Sequence, residues 1–156
     1  MDVRLRPLGA ADSDPLFALE ADPRVAHMAA FGAPRTRESW PAHWELLTTV
    51  PENRTWIVEV DGAFAGMVCC YPLDGARQIG YSVLPAHWGR GIATEAVRLL
   101  LAEVADRPLE ARVAEDNPAS RRVLEKAGFR PAGREVAFAA ARGEDLAELI
   151  FTLAGG

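Results

Sequence analysis

The periodicity of apolar residues changes several times along the chain and predicts a domain of both strands and helices. Two-residue alternation or short apolar runs predict strands at residues 3–7, 55–60, 63–71, 79–84, 109–113, 130–138 and 146–153. Apolar spacing and capping residues predict helices that start near residues 13, 36, 92 and 118. Asp22-Pro23 is expected to interrupt the first of these, with a short helix continuing through 25–28. Thr36 is expected to cap the second helix, and the third is expected to run to about Asp106. This order predicts an α+β fold, with a mixed, mostly antiparallel sheet of about six or seven strands and about four flanking helices.

The composition fits one domain and narrows the classes of partner. With 156 residues and no repeat, linker or low-complexity segment, residues 1–156 are expected to form a single domain. The net charge of −5 argues against general nucleic-acid binding, which usually needs a basic face. The N-terminal residues lack the long apolar stretch of a signal peptide or a membrane span. We therefore expect a cytoplasmic protein that binds neither membranes nor nucleic acids.

The few cysteines and histidines predict neither a disulfide nor a metal site. Cys69 and Cys70 are adjacent in a predicted strand, where neighbouring side chains point to opposite faces, so we interpret them as buried thiols. His27, His43 and His87 are too scattered for a recognisable ligand spacing, and no metal is expected.

The segment from residue 78 to residue 96 carries most of the functional information. A buried strand is followed by a short loop containing Gly89 and Gly91, and then by a long apolar-rich helix. Glycines let backbone N–H groups approach a ligand closely, and a helix N-terminus has unpaired amides with positive partial charge. The segment therefore predicts a site for a phosphate-sized anion.

Other interpretations of this loop differ in the residues that each requires. A purely structural glycine turn is equally compatible with the two glycines alone. A P-loop would need Gly-Lys-Ser/Thr, which is absent. A dinucleotide-binding fingerprint would need a third glycine where Thr94 stands and an acidic residue about 20 residues later, and neither is present.

A second segment, NPASRRVLEKAGF at residues 117–129, predicts a well-capped helix. Asn117 is a good N-cap, Pro118 suits the first helical position and Gly128 suits the C-terminal end. This segment alone indicates only a helix, but its position downstream of the glycine loop makes the combination specific.

Together the two segments resemble motifs A and B of the GNAT superfamily of acyl-CoA N-acyltransferases. The segment 88–93, WGRGIA, is similar to motif A, Arg/Gln-x-x-Gly-x-Gly/Ala, with Trp88 in the Arg/Gln position. Thr94-Glu95-Ala96, the motif B string, LRPL at 5–8 and ADPRV at 21–25 resemble the RimJ/RimL branch. The resemblance covers nearly the whole chain and implies the GNAT fold.

The resemblance implies that acetyl-CoA is the cosubstrate and that no metal takes part. In this family, backbone amides of the glycine loop hold the pyrophosphate, and the preceding strand lies beside the pantetheine arm. A backbone N–H of that strand can also stabilise the oxyanion. The cofactor-binding residues implied here are Val83, Leu84, Trp88, Gly89, Arg90, Gly91, Ile92, Ala93, Thr94, Asn117 and Ser120.

The chemistry implied by the resemblance is direct attack of a neutral amine on the thioester, which calls for a proton acceptor and a proton donor. Glu110 lies in a Glu-Ala-Arg string similar to a Glu-x-Arg string of relatives, whose glutamate is the base. The alternative is an ordinary solvated carboxylate on a strand. Leu124 stands where many members carry a tyrosine that protonates the departing thiolate, and Ser120 is the nearest replacement. Tyr81 is expected to position the acceptor.

The resemblance defines the acceptor only broadly. The branch favours a protein N-terminal amine, while similar chains acetylate antibiotic amines, amino acids and polyamines. The N-terminal helices line the acceptor side in this fold, so Phe31, Trp40 and Trp44 are candidate substrate-binding residues. Core packing is the alternative for the two tryptophans. We expect a monomer or a homodimer.

Two other functions stay open at this point. A non-catalytic acyl-CoA-binding module or partner subunit would keep the same fold, and the absent tyrosine supports it. A nucleotide-binding regulator would use the same glycine loop, and tight ATP or NAD binding without CoA binding would identify it.

Overall fold

A computed structural model describes residues 1–155 and contains one seven-stranded sheet with helices on both faces. The strands are β1 (Val3–Pro7), β2 (Arg54–Val60), β3 (Ala63–Leu73), β4 (Ala76–Val83), β5 (Leu109–Ala114), β6 (Arg130–Ala139) and β7 (Glu144–Leu153). The α-helices are α1 (Ser13–Ala21), α2 (Pro23–Ala29), α3 (Trp40–Thr49), α4 (Ile92–Glu103) and α5 (Pro118–Lys126). The predicted α+β class and the mixed, mostly antiparallel sheet are confirmed.

The helix boundaries agree with the prediction at Asp22 and differ from it in two places. The predicted break at Asp22-Pro23 separates α1 from α2, because the Asp22 backbone is extended and its carboxylate accepts from the Arg24 N–H. Thr36 is not the cap of α3, because its side chain and that of Ser39 hydrogen-bond to each other in the preceding turn. Helix α4 ends at Glu103, before the predicted Asp106, because extended backbone at Val104 carries that side chain into the core.

The order of the strands across the sheet is β1-β2-β3-β4-β5-β7-β6, and only β4 and β5 are parallel. Their pairing begins at Arg77 and Leu109 and ends at Ile79 and Ala111. Beyond that point β4 continues to Val83 and β5 continues to Ala114, but the two strands no longer pair with each other. The two central strands therefore separate, and they leave a gap in the middle of the sheet.

The two faces of the sheet are covered by different helices. Helices α4 and α5 cover one face, and their fully buried side chains Val97, Leu100 and Leu124 pack in the larger core cluster. Helices α1 to α3 cover the other face, where Leu16 and Leu19 are fully buried. Full burial of each leucine contributes roughly 1.5–3 kcal/mol. The sheet that contains the gap is thus packed between two layers of helices.

Gly66 brings β3 unusually close to the end of β4. A Cβ at this position would lie 2.2 Å from the Ser82 carbonyl oxygen, so only glycine fits. Gly66 pairs with Val83, the last residue of β4. This contact fixes the end of the strand that enters the predicted glycine loop.

Candidate functional site

The glycine loop has the open backbone that the sequence predicted. Gly89 and Gly91 have φ angles of +76° and +77°, a region that side chains other than glycine rarely adopt. A Cβ at either position would meet no atom within 4 Å, so the space in front of this backbone is open. A ligand can therefore come into direct contact with the backbone of the loop.

The backbone amides of residues 89–94 form a cluster of free donors. Within residues 1–155 none of these amides donates a hydrogen bond to the protein, and the first bond of α4 runs from the Glu95 N–H to the Gly91 carbonyl. The helix N-terminus adds positive partial charge at the same place. Consecutive free amides of this kind bind phosphate groups.

Trp88 takes part in this site differently from the prediction. Its backbone N–H donates to the Pro85 carbonyl at 3.1 Å, so this amide is not a free donor of the loop. Its indole Nε1–H instead donates to the Val83 carbonyl at 2.8 Å. The side chain of Trp88 thereby ties the loop to the end of β4.

Backbone groups at the end of β4 alternate between β3 and the gap. The Leu84 N–H donates to the Ala65 carbonyl at 2.8 Å, on the side of β3. Because backbone groups alternate in direction along a strand, the Val83 N–H is expected to point the other way, towards the gap. Of the two predicted residues, Val83 is therefore the one whose amide is available to a ligand in the gap.

Tyr81 and Ser120 meet across the gap. The Tyr81 hydroxyl lies 2.6 Å from Ser120 Oγ and donates to the Ser120 carbonyl at 3.2 Å. Burial raises the pKa of Tyr81 to about 12, and the hydrogen bond with Ser120 offsets part of this rise. The phenol therefore keeps its proton at neutral pH, and the pair forms a proton-bearing bridge between β4 and α5.

Asn117 closes the gap from the side of α5. It is 8% exposed, and its Oδ1 accepts from the Ser120 N–H at 3.1 Å as the N-cap of the helix. Its Nδ2 donates to the Met28 carbonyl at 3.5 Å, at the end of α2. The predicted cap is present, and it also links α5 to the wall formed by α2.

One cavity of about 890 Å³ joins the glycine loop, the gap and the helices of the opposite face. Of the predicted cofactor-binding residues, all but Leu84 and Arg90 are among those that line it. Arg122 and Lys126 line the same cavity from α5 and add positive charge. The loop, the Val83 N–H and the Tyr81–Ser120 pair therefore face a single continuous space.

Glu110 is not among the residues of the described chain that line this cavity. Its Oε1 accepts from Gln78 Nε2 at 2.8 Å, and Gln78 is only 1% exposed. The structure thus gives this carboxylate a partner within the sheet. Its predicted role as a base has no support from this geometry.

Among the described residues, Phe31, Trp40 and Trp44 do not line the cavity either. Trp40 is 8% exposed, donates from Nε1 to Ser13 Oγ at 2.9 Å and lies against Trp44, with ring centroids 6.2 Å apart. Phe31 packs on a cluster of small alanines. These contacts favour the alternative of core packing for the tryptophans and give Phe31 a packing contact as well.

The side of the cavity lined by the N-terminal helices contains polar residues that the sequence reasoning missed. Glu20 and His43 line it, with His43 Nε2 at 3.6 Å from Glu20 Oε2. Arg35 Nε lies 3.8 Å from the other carboxylate oxygen. No motif joins these residues, because they come from α1, the segment before α3, and α3 itself. Only the tertiary fold brings them together.

Cys69 also lines the cavity but is unsuited to act as a nucleophile. Burial raises the pKa of this thiol to about 12, and the negative charge of Glu20 adds to the effect. The thiolate is the reactive form, so Cys69 is unreactive at neutral pH. Both cysteines are free thiols, as the sequence analysis expected.

The described residues contain neither a cluster of metal-ligating side chains nor a helix that could span a membrane. Within residues 1–155, no three His, Cys, Asp or Glu side chains are grouped so that they could hold a metal ion. No described helix has the length and apolar character needed to cross a membrane.

Comparison with known proteins identifies similar chains. Residues 2–130 match the family model described as Acetyltransferase (GNAT) domain. The chain is 32% identical over 110 residues to the FsC-acetyl coenzyme A-N(2)-transacetylase of Aspergillus fumigatus, which is 62% of this chain and 47% of that protein. It is 49% identical over 81 residues to "Probable N-acetyltransferase YjcK" of Bacillus subtilis, 47% of this chain and 45% of that protein. The chain spans about half the length of these curated relatives.

Solved structures share the fold over almost the whole chain. An N-acetyltransferase from Staphylococcus aureus Mu50 superposes with a TM-score of 0.84 at 19% identity, covering 99% of both chains. A spermidine N-acetyltransferase from Vibrio cholerae, in complex with CoA and spermine, gives a TM-score of 0.81 at 19% identity, covering 96% of this chain and 95% of that one. The GNAT fold that the sequence predicted is therefore confirmed.

Proposed function

The chain belongs to the acetyltransferase (GNAT) domain family, and we propose that it transfers an acetyl group from acetyl-CoA to a primary amine by direct attack in a ternary complex. One observation carries this proposal: the free amides of residues 89–94, the Val83 N–H and the Tyr81–Ser120 pair all face one cavity. Anion binding, oxyanion stabilisation and proton donation are the functions that this transfer requires.

The glycine loop fits the pyrophosphate of CoA. Its amides have no internal partner within residues 1–155, and Gly89 and Gly91 leave open space in front of them. Arg122 and Lys126 supply cationic side chains on the same cavity. The gap between β4 and β5 leaves room for the extended arm, because unpaired strand edges can bond to an added strand-like segment.

Acetyl-CoA, when bound, supplies an activated thioester carbonyl. The Val83 N–H is the protein group that faces the gap and can stabilise negative charge on the carbonyl oxygen. Tyr81 and Ser120 together can return a proton to the leaving sulfur, the role that a tyrosine at the position of Leu124 has in other members. Leu124 itself is fully buried in the core and can take no part.

We further propose the RimJ/RimL branch and a cytoplasmic setting, with a protein N-terminal amine as the first acceptor to test. The assignment to this branch is supported by the sequence strings that resemble it, among them LRPL at 5–8 and ADPRV at 21–25. Spermine is the second acceptor to test, because the Vibrio cholerae neighbour is described as binding it. The matches cover 47% and 45% of the two curated relatives, so the acceptor of this chain is to be identified by assay rather than taken from them.

The test combines calorimetry with an acetylation assay. We expect CoA to bind the wild-type protein, and acetyl-CoA to release free thiol when an alanyl hexapeptide or spermine is added. Gly91→Val should abolish most CoA affinity, because its φ of +77° strains any other residue and the side chain would fill the open space. Gly75→Val is the matched control, since Gly75 has a φ of +79° and equally open surroundings in the β3–β4 hairpin.

Both variants should lose similar stability, about 1–2 kcal/mol for the strained backbone. Only Gly91→Val should lose CoA binding. Equal affinity in the two variants would refute the assignment of the loop.

A non-catalytic acyl-CoA-binding module is the second candidate, favoured by Leu124 and by the pairing of Glu110 with Gln78. Tight CoA binding without acetylation of a broad amine and peptide panel would identify it.

A further inference from the structure

Glu20 and His43 lie next to each other on the cavity without a hydrogen bond between them. Their side chains are 22% and 18% exposed, and His43 Nε2 lies 3.6 Å from Glu20 Oε2, too far for a hydrogen bond. Within residues 1–155, this Oε2 has no hydrogen-bond partner although it is buried. A buried carboxylate oxygen without a donor is costly, so an unpaired one calls for an explanation.

Two structural ion pairs of this chain, Arg6–Asp12 and Arg142–Asp116, are built differently. Arg6 Nη2 lies 2.6 Å from Asp12 Oδ1, and the same carboxylate accepts from the Gly9 N–H at 2.8 Å. Arg142 Nη1 lies 2.7 Å from Asp116. These pairs are closed by short hydrogen bonds, whereas the Glu20–His43 pair leaves both groups able to bond to something else.

The pair lies on the side of the sheet where the gap opens. Gly80 follows directly after Ile79, the last residue of β4 that pairs with β5. Cys69 covers Gly80, since its Sγ would lie 3.0 Å from a Cβ at that position. Glu20 in turn is near enough to Cys69 for its charge to raise the pKa of the thiol. A chain of neighbours therefore connects Glu20 to the start of the gap.

Resting on the proposed function, we propose that His43 Nε2 accepts the proton of the acceptor ammonium and that Glu20 is the positioning residue that stabilises the resulting imidazolium. Imidazole is suited to this task because its ordinary pKa is close to neutral pH. The other charged or titratable residues that line the cavity include Arg35, Arg54, Cys69, Tyr71 and Arg112.

The proton balance of the transfer is complete. The ammonium gives one proton to His43, and the neutral nitrogen then forms the new C–N bond as the C–S bond breaks. The nitrogen loses a second proton, which ends on the thiolate through Tyr81 and Ser120. The products are a neutral amide and a neutral thiol, and His43 releases its proton to solvent.

No other histidine is so placed. His87 Nδ1 lies 3.0 Å from Arg90 at the cofactor end of the cavity. His27 is exposed on α2 and does not line this cavity within the described chain. Glu110 is held by Gln78. His43 is therefore the base that the geometry favours.

The test measures acetylation by His43→Gln and Glu20→Gln against pH, with the alanyl hexapeptide and with a lysine-type alkyl amine as probes. At about pH 7 we expect kcat/KM for the amine to fall about 100-fold in His43→Gln. KM for acetyl-CoA should change less than about twofold. His27→Gln is the matched control and should behave as wild type.

The pH dependence distinguishes proton transfer from a structural role. The defect should shrink as the amine loses its own proton, near pH 8 for the peptide and near pH 10.4 for the alkyl amine, both about the ordinary values. Added imidazole should restore part of the activity of His43→Ala. Equal losses at all pH values with both amines, or wild-type rates in His43→Gln, would overturn the inference.

Failure of the proposed function would look different. In that case wild-type protein would itself fail to bind CoA or to acetylate any amine, whereas failure of this inference leaves wild type active.

Discussion

Tyr81→Phe is the perturbation that tests the proton-donating end of the site. It removes a hydroxyl that lies 2.6 Å from Ser120 Oγ and 3.2 Å from the Ser120 carbonyl. A neutral hydrogen bond of this kind contributes about 1 kcal/mol, so the variant should stay folded with a slightly lower free energy of unfolding. Positioned acids contribute roughly 100-fold or more, which corresponds to about 2.7 kcal/mol in the barrier. We therefore expect kcat to fall about 100-fold.

Ser120→Ala is the companion variant, and the double variant completes the cycle. If the two hydroxyls act as one proton path, the double variant should be no slower than the worse single variant, because residues of one unit are not additive. Steady-state kinetics with acetyl-CoA and urea unfolding provide the two readouts. Independent, multiplying losses in kcat, or unchanged kcat in both single variants, would refute this path.

The pKa of Tyr81 adds a pH criterion. Burial raises the pKa of this phenol to about 12, so its proton is present throughout the neutral and mildly alkaline range. Activity limited by this donor should therefore be lost only as the pH approaches that value. A loss of kcat near the ordinary phenol value of about 10 would contradict the burial seen at this position.

Three further predictions test the supports of the site. Trp88→Phe removes the indole N–H that donates to the Val83 carbonyl. We expect a several-fold rise in KM for acetyl-CoA and about 1 kcal/mol less stability by urea unfolding. An unchanged KM would contradict a role of this hydrogen bond in positioning the loop. Gly66→Ala would put a Cβ 2.2 Å from the Ser82 carbonyl, and thermal unfolding should show a loss of about 1–3 kcal/mol or more. The Cys69 thiol has a model-peptide pKa of 9.0 and a folded pKa of about 12, so the unfolded chain releases this proton first. Stability is thus retained below about pH 9 and lost as the pH rises towards 12, by about 2 kcal/mol near pH 10.5, and Cys69→Ala should lack that part of the loss.

Most of the fold could be predicted because its elements are encoded locally. Alternation identified each strand, and the β4–loop–α4 segment was recognisable from its apolar run and two glycines. Boundaries were less predictable because tertiary contacts override local signals. Thr36 is a good cap by type, yet it bonds to Ser39 instead, and Val104 leaves the helix for the core.

The proposed cofactor-binding and acceptor-binding residues differ in how well the sequence could predict them. The proposed phosphate site consists of backbone amides of one short segment, residues 89–94, so the local sequence could indicate it. The proposed proton transfer would use side chains from distant elements: Tyr81 and Ser120 are 39 residues apart, and the Glu20–His43 pair joins α1 to α3. No local pattern encodes such contacts.

The same difference bears on Glu110, the base that the family resemblance implied. A motif transfers a residue's identity, but its chemistry depends on its neighbours, and here Gln78 Nε2 already bonds to that carboxylate at 2.8 Å. The need for a proton acceptor is unchanged by this pairing, since an amine must still become neutral before it attacks. We therefore look for the proton acceptor among the cavity-lining residues, where Glu20 Oε2 is buried without a hydrogen-bond partner within residues 1–155 and His43 lies beside it. A residue for this role is best sought among buried polar atoms without partners rather than at the position where relatives keep theirs.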